Sequence, residues 1–315
     1  MPDLTYAAVK ASGRKGKLLT EQQLMELASQ KDLKDLINKI RPNYQSLTNA
    51  SPELVEFESI LKDGFLKEAD EFIKNTPEAS DLLMLIKKQM QEGDVVELMK
   101  WHLGAIGEAQ VKTPLKKYGK QDALKALKAM GYGEEADAAE SVYKRHSVPA
   151  LIDSVFVRGG LMRLAATLEK MKGNGEPLIG YLKLKIDIYN VFTIIRGLKN
   201  GIDPKAIEDV LLFNGGTLGR AELLEALKAG DQAKAFAYLE GKGVPKAETP
   251  RELEREYDRR IVSNLQSAYR DGYVEAGAVI SYLELKSNEV KNLIRIANAI
   301  ERGVDQKSLM QSYLS

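Results

Sequence analysis

Apolar positions along this chain recur mostly three and four residues apart, the period of a helix with one buried face. Two long tracts show it best. Ile188, Val191, Ile195, Leu198 and Ile202 form one stripe, and Val290, Leu293, Ala297, Ile300 and Val304 form the other. Runs of β-branched residues are short, and the sequence carries neither hairpin turn signals nor strand–helix alternation. Helix starts are marked by their chemistry. Thr20-Glu-Gln-Gln23 and Thr249-Pro-Arg-Glu252 predict capping boxes. Ser51-Pro52, Thr76-Pro77 and Asp203-Pro204 predict a cap followed by proline in the first turn. Gly201-Ile-Asp203 and Gly303-Val-Asp305 each predict a helix stop at glycine and a new N-cap two residues on. The fold class these signals predict is all-α.

Self-comparison adds an internal repeat of about one hundred residues. Gly119-Lys-Gln-Asp-Ala-Leu-Lys-Ala-Leu-Lys-Ala129 returns as Gly219-Arg-Ala-Glu-Leu-Leu-Glu-Ala-Leu-Lys-Ala229, with a fainter copy at Leu24 and Leu27. Asp187-Ile-Tyr-Asn190-Val returns as Glu289-Val-Lys-Asn292-Leu, and the following Gly201 and Gly303 align, as do Ile207 with Leu309 and Leu212 with Leu314. A third block, Pro52-x-Leu54-x-Glu56, matches Pro149-x-Leu151-x-Asp153 and more loosely Pro250-x-x-Leu253-Glu254. Three units follow, at residues 1–115, 116–216 and 217–315, the first the faintest. Three such units can stand in a line or close around a pseudo-threefold axis as a funnel.

Composition narrows the function. Apolar residues are 44% and charged residues 29%, a globular balance. Lysine plus arginine number 46 against 45 acids, a net charge of +1, which argues against a nucleic-acid coat. Cysteine is absent, so disulfides, thiolate metal sites and cysteine nucleophiles are excluded. His102 and His146 are the two histidines, too few for a multi-histidine metal site. The N-terminus lacks the apolar core of a signal peptide, and the most apolar tracts are interrupted by charge, so a soluble chain without bilayer insertion is expected.

The search for catalytic chemistry yields little. Gly13-Arg-Lys-Gly16-Lys17 lacks the spacing of a phosphate loop, and Asn214-Gly-Gly-Thr-Leu-Gly219 reads as a turn between helices. Gly159-Gly160, inside a helical pattern, marks close packing. Trp101-His102 reads as a packed, hydrogen-bonded pair, and His146 as surface or linker. Two basic stretches (Lys10 to Lys17 and Lys112 to Lys128) and an acidic one (Glu53 to Glu71) read as solvated helix faces, with electrostatic registration against a partner as the functional alternative. Asn190 and Asn292 are unusual within helices, and their recurrence predicts a shared bond between helices. No cofactor or metal is expected.

The segment Tyr282-Leu-Glu-Leu-Lys286-Ser-Asn-Glu289-Val-Lys-Asn292-Leu-Ile-Arg295 through Gly303 resembles the C-terminal signature of the C subunit of archaeal-type and vacuolar-type rotary ATPases, whose eukaryotic relative is the vacuolar ATPase d subunit. The internal copy from Tyr181 to Gly201 and the tract from Tyr6 to Leu19 resemble the same family. Ser287-Asn288-Glu289 departs from the family's usual Lys-Glu-x-Glu run. The resemblance implies a non-catalytic rotor adaptor: an all-helical pseudo-threefold funnel on the cytoplasmic face of the membrane, peripheral, one copy per complex. Its partners would be the central stalk and the proteolipid ring, between which it passes torque. Candidate partner contacts are Tyr181, Lys185, Arg196, Tyr282, Lys286 and Arg295. Asp187, Asn190, Gly201, Glu289, Asn292 and Gly303 are the structural signature. Two other readings compete: a helical scaffold for soluble proteins unrelated to rotary ATPases, and an all-α enzyme using Asp187 in a carboxylate pair.

Overall fold

The computed structural model describes residues 4–48, 50–271 and 276–304. Among them are fifteen α-helices and no strand. In chain order these are α1 (Leu4–Lys15), α2 (Glu21–Ala28), α3 (Leu33–Ile40), α4 (Leu54–Asn75) and α5 (Ser80–His102). There follow α6 (Thr113–Lys116), α7 (Ala123–Ala129), α8 (Gly133–His146), α9 (Ala150–Lys170) and α10 (Ile179–Lys199). The last five are α11 (Pro204–Glu208), α12 (Arg220–Lys228), α13 (Gln232–Glu240), α14 (Pro250–Asp271) and α15 (Ala276–Glu301).

Contacts divide the chain into two compact units. The first takes the described residues of Met1–Met90, Leu168–Tyr181 and Pro245–Ser315; the second takes Gln91–Thr167 and Leu182–Val244. The first is built around α15, which packs against α1, α2, α3, α4, α14 and the 3-10 turn Lys172–Leu178. Leu283, Val290, Leu293, Ile296 and Ala297 are buried along it. So are Ile280, Ser281, Glu284 and Asn292, which face other sides of the helix, so α15 is a core helix and not one with a single buried stripe. The second unit has its own core, where Val95, Leu98, Met99 and Trp101 of α5 meet Leu127 of α7, Ala136 and Ala139 of α8, and Ile152 and Phe156 of α9.

Three helix pairs of similar make recur: α2–α3, α7–α8 and α12–α13. Leu27, Leu127 and Leu227 hold the same place in each first helix, and all three are buried. The turns that follow α7 and α12 use Gly131 (φ +80°) and Gly230 (φ +75°), where a Cβ would strain the backbone.

Most helix signals act as predicted. Thr20 forms the reciprocal box with Gln23, and Asp203 caps α11 by accepting from the Lys205 N–H. Gly201 and Gly303 are left-handed at the ends of α10 and α15; Asp305 lies outside the described residues. Three signals act differently. Glu252 returns to the Glu248 N–H instead of Thr249, although the Thr249 hydroxyl does accept from the Glu252 N–H. The Ser51 hydroxyl donates to the Glu56 carboxylate, and α4 starts at Leu54 with no side-chain cap. The buried Thr76 hydroxyl donates to the Phe72 carbonyl at 2.6 Å, closing α4 rather than opening the next turn. Within the repeat, Glu222 reaches back to the Gly219 N–H at 2.8 Å, whereas Asp122, one carbon shorter, makes no such cap and α7 starts later.

Gly159 marks close packing as the sequence predicts: a methyl group there would lie 2.5 Å from Cγ of Glu135, which is buried and ion-paired with Arg163. Gly160 meets nothing within 4 Å. The His102 ring Nδ1 lies 3.2 Å from the Lys120 carbonyl, beside buried Trp101. His146, expected at the surface or in a linker, is the last residue of α8 and lies 2.9 Å from an Asp209 oxygen that also takes Arg145 at 2.6 Å.

The unoccupied volume left by a core truncation sets the simplest stability test. Leu127→Ala, fully buried in the second unit's core, should cost about 2–5 kcal/mol, read as a lowered urea midpoint.

Candidate functional site on the two repeated long helices

The residues singled out by the repeat lie on α10 and α15, and each helix has a buried carboxylate at the same register. On α10, Asp187 accepts from the Thr217 N–H at 2.9 Å, from the Leu218 N–H at 3.1 Å, and from the Thr217 hydroxyl. These donors belong to the glycine-rich loop before α12. The glycine-rich loop that reads as a turn between helices therefore holds the chain's own carboxylate. Gly216 makes room for it, since a Cβ there would overlap Asp187 Oδ1. On α15, Glu289 accepts from the Leu19 N–H and the Tyr44 hydroxyl, and Lys286 Nζ lies 2.6 Å from its Oε1. Leu218 precedes the N-cap of α12 and Leu19 precedes the N-cap of α2. Each of the two aligned acids thus grips the amide just ahead of an N-cap.

One helical turn from these acids stand the repeated asparagines. Asn190 donates to the Leu212 carbonyl at 2.7 Å and accepts from the Leu212 N–H at 2.9 Å. The sequence predicts a bond between helices; the partner is instead the non-helical segment that follows α11. Asn292 is buried too, and Leu314, aligned with Leu212, lies outside the described residues.

The tyrosines are fasteners as well. Tyr189 places its hydroxyl 3.0 Å from the Ser154 carbonyl and 2.5 Å from that of Val210. Tyr181 is buried beside Glu284, and burial first, then Glu284, pushes its hydroxyl up. Tyr282 packs on Phe72 with ring centroids 5.7 Å apart and donates to Glu68 at 2.5 Å. Lys286 also lies 2.8 Å from the Tyr44 oxygen and 4.1 Å from that ring's centroid. Burial, then Glu289, pushes the Tyr44 hydroxyl up, which keeps it a donor to that carboxylate.

Sequence reasoning missed Arg14, Tyr44, Glu68 and Glu71. Arg14 takes Glu68 at 2.9 Å and Glu71 at 2.7 Å, and Lys10 pairs with Glu71. Two charged runs that read as solvated faces are in fact each other's partners. Burial alone would lower Arg14, yet its pairing with the two glutamates raises it. The signal is present as opposite charge at four-residue spacing on α1 and three-residue spacing on α4.

Of the six candidate contact residues, Tyr181 and Tyr282 are each 2% exposed, and Lys286 is held inside the first unit by Tyr44 and Glu289. Lys185 is half-buried. Arg196 is exposed, its guanidinium 4.7 Å from the Phe192 ring centroid. Arg295 is half-buried, 4.0 Å from Glu254. No described helix is long and apolar enough to cross a membrane, and no described cluster of three or more His, Asp or Glu is arranged to hold a metal ion.

Two outcomes follow from these grips. Asn190→Ala strands both backbone groups of Leu212 and should cost about 2–5 kcal/mol in urea unfolding, with faster hydrogen exchange at the Leu212 amide. Beside Arg295, burial lifts the Asp258 carboxyl to about 6 from its ordinary 3.8; Arg295 opposes the rise, Glu254 adds to it and Lys291 opposes it. The folded chain holds that proton more tightly than the unfolded chain. This group's contribution is therefore full below about pH 4, declines as pH rises towards about 6, and is flat above. Asp258→Asn should match the parent below about pH 4 and be the more stable protein near neutrality, measured by denaturant midpoints across that range.

Residues 7–312 match the ATP synthase (C/AC39) subunit family. A protein of Methanosphaera stadtmanae, named as the C subunit of an A-type ATP synthase, is 21% identical, covering 94% of this chain and 83% of its own. Proteins of the same name from Thermococcus kodakarensis and Pyrococcus horikoshii are 22% and 24% identical, covering 98% and 94% of this chain and 89% and 86% of theirs. With the match running from α1 past α15 and taking in both carboxylate grips, the chain belongs to the ATP synthase (C/AC39) subunit family.

Proposed function

We propose that the chain is a non-catalytic adaptor of an archaeal- or vacuolar-type rotary ATPase, joining the central stalk to the membrane proteolipid ring on its cytoplasmic face. The observation that carries this reading is the family match over residues 7–312, together with relatives, aligned over most of their length, that are named as the C subunit of an A-type ATP synthase. In this reading the chain forms three related helical units, at 1–115, 116–216 and 217–315, closed as a pseudo-threefold funnel. The recurring pairs α2–α3, α7–α8 and α12–α13 support it.

Torque transfer needs elements that do not slide. Side chains that hold two backbone groups at once, as Asp187 and Asn190 do, resist sliding because displacement leaves buried polar groups without partners. We assign partner contact to Arg196, Lys185 and Arg295, which reach the surface at least in part, and a positioning role to Tyr181, Tyr282 and Lys286.

The test is a rotary complex assembled with and without this chain. Without it, ATP hydrolysis by the soluble head should persist while ATP-driven ion movement into vesicles is lost, and the isolated chain should turn over no ATP. Ion pumping that survives omission would overturn the reading. Co-purification with soluble proteins but never with a detergent-solubilised ring would favour the general scaffold instead.

A further inference from the structure

The second basic stretch takes no part in the grips described above. Residues 103–130 hold six lysines against two acids, Glu108 and Asp122. Lys112 pairs with Asp94 at 2.9 Å and Lys128 with Asp137 at 2.9 Å. Lys116, Lys117, Lys120 and Lys125 are exposed and form no ion pair with a described residue. They lie on α6, on the turn after it and at the start of α7. That turn is fixed by the Tyr118 N–H donating to Leu115 and the Gly119 N–H donating to Lys116, both at 3.1 Å, with Gly119 left-handed at φ +69°. Four uncompensated cations therefore share one short folded segment.

The fold does not require them. The equivalent stretch of the first helix pair, residues 20–28, carries Glu21 and Glu26 and no cation. That of the third pair, 220–228, balances Arg220 and Lys228 against Glu222 and Glu225. Only residues 120–128 are net positive, with Lys120, Lys125 and Lys128 against Asp122. The same helix is built three times and is net positive once.

The kind of cation selects the partner. Protein interfaces enrich arginine and aromatic residues in their centres and deplete lysine. Planar, bidentate recognition likewise favours arginine. A cluster of four flexible lysines with no arginine suits a diffuse field of negative charge, as presented by anionic lipid headgroups. We infer that the lysines of α6–α7 bind the anionic headgroups of a membrane surface. The inference rests on the chain's own charge pattern, not on the adaptor reading, and its test contains no rotary complex.

The experiment is co-sedimentation of the full chain with vesicles of phosphatidylcholine alone and of phosphatidylcholine with phosphatidylglycerol. The chain should bind the anionic vesicles, bind the neutral ones far less, and be released as salt rises. Lys116→Gln/Lys117→Gln/Lys120→Gln/Lys125→Gln should weaken binding by about fivefold per lysine, on the order of several hundredfold in all. Lys116→Gln/Lys117→Gln alone should give a partial loss, and Lys31→Gln/Lys34→Gln, on exposed positions elsewhere, none. Circular dichroism should report the parent's helix content in each variant. Equal binding to neutral vesicles, full binding by the quadruple variant, equal loss in the Lys31/Lys34 control, or tighter binding to polyglutamate or to glycerol phosphate than to anionic vesicles would each overturn the proposal.

Discussion

The stretch of chain leading into a helix has no hydrogen-bond ladder of its own, so its N–H groups need partners from elsewhere, and burying them unmatched costs more than most single contacts return. This chain meets that constraint twice with the same device. A carboxylate on a long core helix accepts the amide just ahead of a short helix: Asp187 for the segment entering α12, and Glu289 for the segment entering α2. Much else is arranged around these two acids. Gly216 is small because Asp187 approaches it. Tyr44 and Lys286 close the remaining sides of Glu289. Neither acid is left as a lone buried charge, the condition that would otherwise make it destabilising.

The charged residues of the first unit extend the same economy to helix packing. Arg14 and Lys10 on α1 meet Glu68 and Glu71 on α4, and Glu68 also accepts from Tyr282 on α15. Three helices thereby share one partly buried network. Satisfied networks of this kind fix the register of helices that apolar packing alone would let slip. In a protein whose proposed task is to carry force, register matters more than added stability.

Helix class, several caps and the recurrence of Asp187–Asn190 at Glu289–Asn292 are legible in the sequence, because period and capping chemistry are local. The Asn190 bond is legible as a bond, since a mid-helix asparagine needs a reason. Its partner is not, because Leu212 contributes only backbone atoms, which leave no trace in residue type. The glycine-rich loop reads correctly as a turn, but its guest is hidden for the same reason. Ser51 and Thr76 mislead because a hydroxyl followed by proline satisfies a cap pattern even when tertiary contacts claim it. The single stripe on α10 is too narrow. Ile186, Phe192 and Ile194 lie off it yet are buried, because the helix is covered on several sides. Arg14 and Glu68 escape recognition as partners because 54 residues separate them and nothing local brings them together.

The first unit is assembled from widely separated stretches of chain, and the helix at its centre is made after the helices that pack on it. Leu19 waits for Glu289 across 270 positions. At ribosomal speeds of roughly 5–20 residues per second, α1 to α4 emerge tens of seconds before α15 exists to cover them. During biosynthesis their apolar faces stand open, whereas most of the second unit has already been synthesised. Nascent chains of this protein should therefore depend on shielding by chaperones, and a premature stop before α15 would strand half the polypeptide without a core.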